Sequence, residues 1–335
     1  MKILYLSNIK IPPIFLPQDY LCDMVFHGFR ALFGPDAVDI ARNDSMYSDN
    51  PPERRATMYG RGFTIWNTLD PNLKIDRTDL KSKLKNKYFD LIVYGQATRC
   101  LSYLEEVYSH YPNNQVVLLD GEDQPGINPL LLRLGSPVFK RELRKNITGV
   151  FPISFCVPKE KLCNACPQKS QHVARTPTKS HVFAHEQEYY AEYRKSYFGL
   201  THKKGGWDCC RHYEIIMNRC VPFFAGIQDI PALTMTHFPR LLVHEAMTLF
   251  DCKDLEKTKY RELEQKIFDH LEKHCITEAM AKYVLDVMRQ YAACARSPGR
   301  PGRLALSMAS TACCLKHFAS AFISAICRVF KSIFM

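Results

Sequence analysis

The stretch Lys203-Lys-Gly-Gly-Trp-Asp-Cys-Cys-Arg-His-Tyr-Glu214, closing on Cys220-Val-Pro-Phe-Phe224, decides how this chain is read. A glycine pair ends a polar loop, a short helical segment follows, and an apolar run closes it, giving the order loop, helix, strand. Paired glycines let the backbone approach a ligand closely. A helix start behind them offers free N–H groups and a positive dipole end to an anion. Lys203, Lys204 and Arg211 add positive charge beside that end. Arg211 and Glu214 lie three apart and so share a helix face. A diphosphate held by Gly205, Gly206 and Arg211, with Glu214 accepting from ribose hydroxyls, would satisfy every polar group in the run. The competing reading is a charge cluster at a helix start that holds nothing. Trp207 reads as the anchor of the loop, or as a stacking surface.

Outward from this block, short apolar runs alternate with helical patterns. Strands are expected at 3–6, 37–40, 89–94, 116–119 and 146–154, with helices at 19–32 and 101–108. Gly34-Pro35 ends the first helix. Downstream, strands are expected at 181–184, 197–200 and 221–224, and helices at 188–196, 240–247, 255–272 and 277–295. Thr277 suits the N-cap of the last of these. Residues 53–75 carry no decisive pattern. Alternation of this kind predicts an α/β fold built from two Rossmann-like domains with parallel sheets. The expected boundaries are 1–155 for the first domain, 156–180 for a connecting loop and 181–296 for the second domain. A Pro/Gly linker at 297–303 and an amphipathic helix at 304–335 would follow.

With 335 residues and 46% hydrophobic content, the chain can bury a core of that size. Its net charge of +11 is unevenly spread, since no acid follows Asp286 while Arg289, Arg296, Arg300, Arg303, Lys316, Arg328 and Lys331 do. Within 304–335, Leu315, Phe318, Phe322, Ile326, Val329 and Ile333 fall on one side of a helix and the cations on the other. This fits an anionic membrane surface, with no nucleic-acid partner implied, or else a helix packed on its own core. Lys316 and Arg328 interrupt it too early for a span. Fourteen irregularly spaced cysteines, and an opening strand with no secretory signal, point to free thiols in the cytosol and a peripheral membrane protein. Cys163-x-x-Cys166, with Cys156 and His172, has a zinc-like look, but no second Cys-x-x-Cys supports it, and it reads as a surface loop.

Asp120-Gly-Glu-Asp123 follows an expected strand and so sits at a carboxyl end, where ligands bind in open α/β sheets. Glu122 and Asp123 are candidates for the base or the orienter of an acceptor hydroxyl, the alternative being an acidic capping turn. Arg99 follows its strand in the same way. Lys140 and Arg141 read first as a solvated basic turn and second as phosphate contacts.

Ser196-Tyr-Phe-Gly-Leu-Thr201, Arg211-His-Tyr-Glu214 and Cys220-Val-Pro222 together resemble the donor-binding segment of exostosin-like glycosyltransferases and their bacterial and viral relatives. The resemblance is firm over 181–240 and looser over 88–155. It implies a GT-B arrangement and a nucleotide-sugar donor, with Glu214 on the ribose, Arg211 near the phosphates and Lys204 assisting. It also implies transfer to a glycan, lipid or protein acceptor. In that arrangement His185 and Glu186 border the cleft, and His185 becomes a candidate proton shuttle. Asp120-x-Glu122 only approximates the metal-binding Asp-x-Asp of the other large glycosyltransferase fold, so no cofactor or divalent metal is expected. The chain is short for two such domains, which keeps two rivals open. One is a non-catalytic nucleotide- or sugar-binding module at a membrane surface. The other is a metal-dependent nucleotide hydrolase using the acids at 120–123, although no Walker-type motif is present.

Overall fold

The computed structural model describes residues 1–7, 19–51, 53–54, 58–176, 182–252 and 257–294. The expected linker at 297–303 and amphipathic helix at 304–335 lie outside the described residues. Nine strands alternate with helices among those described. They are β1 (Ile3–Leu6), β2 (Ala37–Ile40), β3 (Leu91–Tyr94), β4 (Val116–Asp120), β5 (Val138–Lys140), β6 (Val150–Pro152), β7 (Gln171–Val173), β8 (Ser196–Thr201) and β9 (Val221–Phe224). The helices are α1 (Tyr20–Phe33), α2 (Leu80–Lys85), α3 (Leu104–His110), α4 (Pro129–Arg133), α5 (Glu186–Arg194), α6 (Cys210–Met217), α7 (Arg240–Met247), α8 (Lys257–His274) and α9 (Thr277–Cys294).

Strands β1 to β6 form one sheet in the order β2-β1-β3-β4-β5-β6, every pair parallel. Ile3 faces Ala37 on one side and Leu91 on the other. Side chains of a strand alternate between faces, and here both faces are apolar. Ile3, Tyr5, Val93, Val117 and Leu119 join the core under α1 and α9. Leu4, Leu6, Ile92, Tyr94 and Leu118 join the core under α2, α3 and α4. Continuous apolar runs are what a sheet covered on both faces demands. The strand order reverses beside β1, so the crevice at the carboxyl ends of β1 and β3 is the topological switch point.

Strands β7, β8 and β9 form a second parallel sheet, in which Gln171 pairs Ser196 and Phe198 pairs Val221. Its first strand was expected at 181–184. Residues 182–184 form no strand, and β7 arises instead inside the stretch expected to be a connecting loop. Residues 277–294, expected with the second domain, lie against the first sheet. The close crossing is made at Gly28 of α1, where a Cβ would stand 2.0 Å from the Thr277 carbonyl oxygen. Tyr283 donates to the Pro152 carbonyl at 2.7 Å and Tyr291 to that of Gly135 at 3.0 Å. The last described helix is thereby fixed on the first sheet's side, and one continuous apolar core joins the residues of both sheets.

Candidate functional site

The carboxyl ends of both sheets open onto one cavity of about 400 Å³. From the first sheet it is lined by Asp19 and Tyr20 at the start of α1, Arg99 after β3, Gly121, Glu122 and Asp123 after β4, Arg141 after β5 and Phe155 after β6. The second sheet supplies Thr176 after β7, Lys204, Gly205 and Gly206 after β8, and Cys210, Arg211 and Glu214 from α6. Nine of the residues singled out from sequence therefore share one wall or the other: Arg99, Glu122, Asp123, Arg141, Lys204, Gly205, Gly206, Arg211 and Glu214. His185 does not join them. It is exposed at the N-cap position of α5 and does not line the cavity, because the strand expected to carry it to the cleft is absent there.

The glycine pair has a different local reason from the one its sequence suggests. A Cβ on Gly206 would fall 2.4 Å from Glu142 Oε1 and 2.9 Å from Arg141 Nη1, and one on Gly205 would fall 2.0 Å from Asp123 Oδ2. The backbone at 205–206 thus closes onto side chains of the first sheet's loops while also facing the cavity. Arg141 is the knot of this seam. Only 2% of its side chain is exposed, and it donates to the Gly121 carbonyl at 3.0 Å, to Glu142 at 3.1 Å, to the Asp208 carbonyl and to Asp123. Lys140 is wholly buried and paired with Asp120 at 2.8 Å. Neither residue is the solvated basic turn that the sequence favours, because each is neutralised by a carboxylate at or just beyond the end of β4.

Asp208 completes the seam. Its amide donates to Glu142 at 2.9 Å, while its carboxylate accepts from the Phe155 amide and the Tyr213 hydroxyl, each at 2.8 Å. Burial pushes the Asp208 carboxyl up to about 7, against the opposing pull of Arg141. His212, in the same run, does not line the cavity. Its Nε2 lies 2.9 Å from the Trp207 carbonyl, which can only accept, so Nδ1 accepts from Thr201 at 2.9 Å. Burial drives this neutral imidazole down to about 3, and its ring stacks on Phe224 at 4.2 Å. Lys203 leaves the cavity too, over the Trp207 ring.

What remains on the second wall is Lys204 and Arg211. Burial lowers the Lys204 ammonium below its ordinary value, and the neighbouring Arg211 guanidinium lowers it further. Burial and a neighbouring like charge both disfavour the charged ammonium, and an anion beside it would offset that cost. On the first wall, Glu122 accepts from Arg99 Nε at 2.9 Å and Thr98 Oγ1 at 3.0 Å. Burial alone would raise this carboxyl, and Arg99 with Thr98 outweighs burial, leaving it below the ordinary range. Asp123 is half exposed and held by Arg141.

Residues that sequence reasoning missed complete the walls. Phe63 and Phe183 flank Tyr189, with ring centroids 5.9 and 5.7 Å from it, and all three line the cavity. Phe63 belongs to the stretch with no readable pattern. Its neighbour Thr64 reaches Glu214, 150 residues away, donating from Oγ1 to Oε1 at 2.5 Å. Among the described residues, no group of three or more His, Cys, Asp and Glu side chains is arranged to hold a metal ion. Cys156 is buried and Cys166 exposed. Among the same residues, no helix is long and apolar enough to cross a membrane. No protein-family model matches the chain, and no curated protein matches it at a significant level.

Proposed function

We propose that this protein is a glycosyltransferase of GT-B organisation, moving a sugar from a nucleotide-sugar donor to a hydroxyl-bearing acceptor. The observation that carries the reading is the shared cavity, into which the loop and helix of residues 203–214 bring two mutually repelling cations and a carboxylate. Lys204 and Arg211 take the donor diphosphate, and their effect grows as the glycosidic bond breaks and charge collects on the leaving group. Glu214 accepts from the ribose. The aromatic group Phe63, Tyr189 and Phe183 offers ring faces to base or sugar. The acceptor enters on the first wall. There Glu122, whose proton affinity is lowered by Arg99, orients the acceptor hydroxyl, while Asp123, beside Gly205 of the donor loop, takes its proton. In the same proposal the cationic segment 304–335 holds the enzyme to an anionic membrane surface on the cytoplasmic side.

The test is a thermal-unfolding screen of the full chain against UDP-, GDP-, CMP- and dTDP-sugars, because a ligand bound only by the folded state raises its stability by mass action. One donor class is expected to stabilise the protein, and Lys204→Ala is expected to weaken that donor about tenfold without lowering the unliganded midpoint. Release of free nucleoside diphosphate from the labelled donor separates a transferase from a module that only binds. Absence of stabilisation by all four classes would sink the reading.

A further inference from the structure

Thr64 is a β-branched residue with φ 71°, in the left-handed region. Such residues rarely adopt this conformation, and they persist there only where the surroundings over-determine them, often at functional sites. Two hydrogen bonds hold it, from its amide to Glu186 Oε1 at 2.5 Å and from its Oγ1 to Glu214 Oε1, and its hydroxyl oxygen also touches that of Tyr190 at 2.9 Å. Tyr190 also donates to Glu186 at 2.8 Å, and Lys161 pairs with Glu186 at 2.6 Å, so the support of Thr64 is itself supported. Thr64 is fully buried and its neighbours Gly60 and Phe63 line the cavity. The strained loop of the first half of the chain therefore ends on the carboxylate of α6.

Acceptor bookkeeping at Glu214 gives this contact a consequence. A carboxylate offers about four lone-pair positions. Oε1 receives the Thr64 hydroxyl and, at 3.4 Å, the Cys210 thiol, while Oε2 receives the Tyr189 hydroxyl at 2.7 Å. Among the described residues, one position is left, on Oε2. Resting on the nucleotide-sugar reading above, we infer that Thr64 is a positioning residue that fixes Glu214 so that it reads a single ribose hydroxyl of the donor. Because its own contacts tie it to α5, Thr64 stays with Glu214 when the ligand enters and does not trade places with the ribose.

The experiment measures dissociation constants of UDP and GDP, with their 2′-deoxy and 3′-deoxy forms, on the full-length protein and on Thr64→Val and Thr64→Ser. In the wild type, loss of one hydroxyl is expected to weaken the diphosphate that binds by about tenfold, and loss of the other by less than about twofold. Thr64→Val is expected to erase that difference, binding ribose and deoxyribose forms alike, while Thr64→Ser restores it. A role in folding alone would shift all the constants together. Should Thr64→Val fail to fold, Thr64→Gly, whose backbone suits a positive φ, removes the same hydroxyl and is expected to give the same loss. Undiminished discrimination in the variant would overturn the inference, as would equal binding of both deoxy forms by the wild type. Either of those results leaves the nucleotide site standing. Failure of the wild type to bind UDP or GDP at all overturns the nucleotide reading and this inference with it.

Discussion

On the first-sheet wall of the cavity, cations and carboxylates arrive already matched, Arg99 with Glu122 at 2.9 Å and Arg141 with Asp123. On the second-sheet wall, burial lowers the Lys204 ammonium and the neighbouring Arg211 lowers it further, with Glu214 as the carboxylate that acts on both cations. The same kinds of side chain thus serve two ends. Paired charges hold the loops at the sheet ends in place, and on the other wall a partly buried ammonium beside a guanidinium is the arrangement on which the proposed donor site rests. The contrast explains why composition says little about such a site, since both walls contain basic residues and only their neighbours differ.

The sharpest way to break the comparison is to remove the knot between the walls. Arg141→Met leaves Glu142, itself buried, with one amide donor in place of a counter-charge, and strips a donor from the Asp208 carbonyl. Deleting one partner of a buried ion pair costs about 3–5 kcal/mol. That is a large share of the roughly 5–15 kcal/mol a folded chain holds in total. Denaturant unfolding is expected to register a loss of that order, whereas Lys204→Ala should register none. A loss below about 1 kcal/mol for Arg141→Met would show that the seam carries no weight in the fold.

A smaller effect sharpens the same contrast through pH. Burial raises the Asp208 carboxyl from 3.8 to about 7. The folded protein therefore keeps a proton that the unfolded chain releases, and stability falls as pH rises through that window. His212 works in the opposite direction, since the unfolded imidazole takes up a proton below 6.5 while the folded one resists to about 3. Comparing the wild type with Asp208→Asn isolates the carboxyl from this background. Between pH 5 and pH 8 the stability difference should move in favour of the variant by about 2–3 kcal/mol. A constant difference across that range would mean that Asp208 is ionised in the folded state throughout.

Much of the fold was legible because its signals are local. The apolar runs of β1, β2 and β9 and the periodic pattern of α7 were read with their observed boundaries, since buried parallel strands need continuous apolar sequence. The polar strand β7, with its middle residue His172 exposed, gives no such signal. Strand β5 ends on Lys140, which is tolerated in the interior only because Asp120 meets it. The site was legible in the same proportion. Gly205, Gly206, Arg211 and Glu214 form one short run, while Thr64 and Phe155 enter through contacts between distant segments. Arg141 was misread for that reason, as no window around residues 139–142 contains the acids at 123 and 208.

The smallest expected effect tests the acidic member of the first wall. Glu122 has a side chain about one-third exposed and two donors, Arg99 and Thr98. Exposed pairs of this kind contribute about 0–1 kcal/mol, so Glu122→Gln should barely move the unfolding midpoint. The sign of its pH dependence is set by a folded pKa held below the 4.5 of the free side chain. Whatever stability the ionised form adds is present above that value and disappears as pH falls through the folded one, so wild type and variant should converge in acid. The same depression makes Glu122 a weak base. If it orients the acceptor, Glu122→Gln lowers the transfer rate while the acid limb of the pH–rate profile stays where it was. Displacement of that limb would make Glu122, and not Asp123, the group that takes the proton, and the first wall would then hold a carboxylate whose pairing with Arg99 is undone when the acceptor binds.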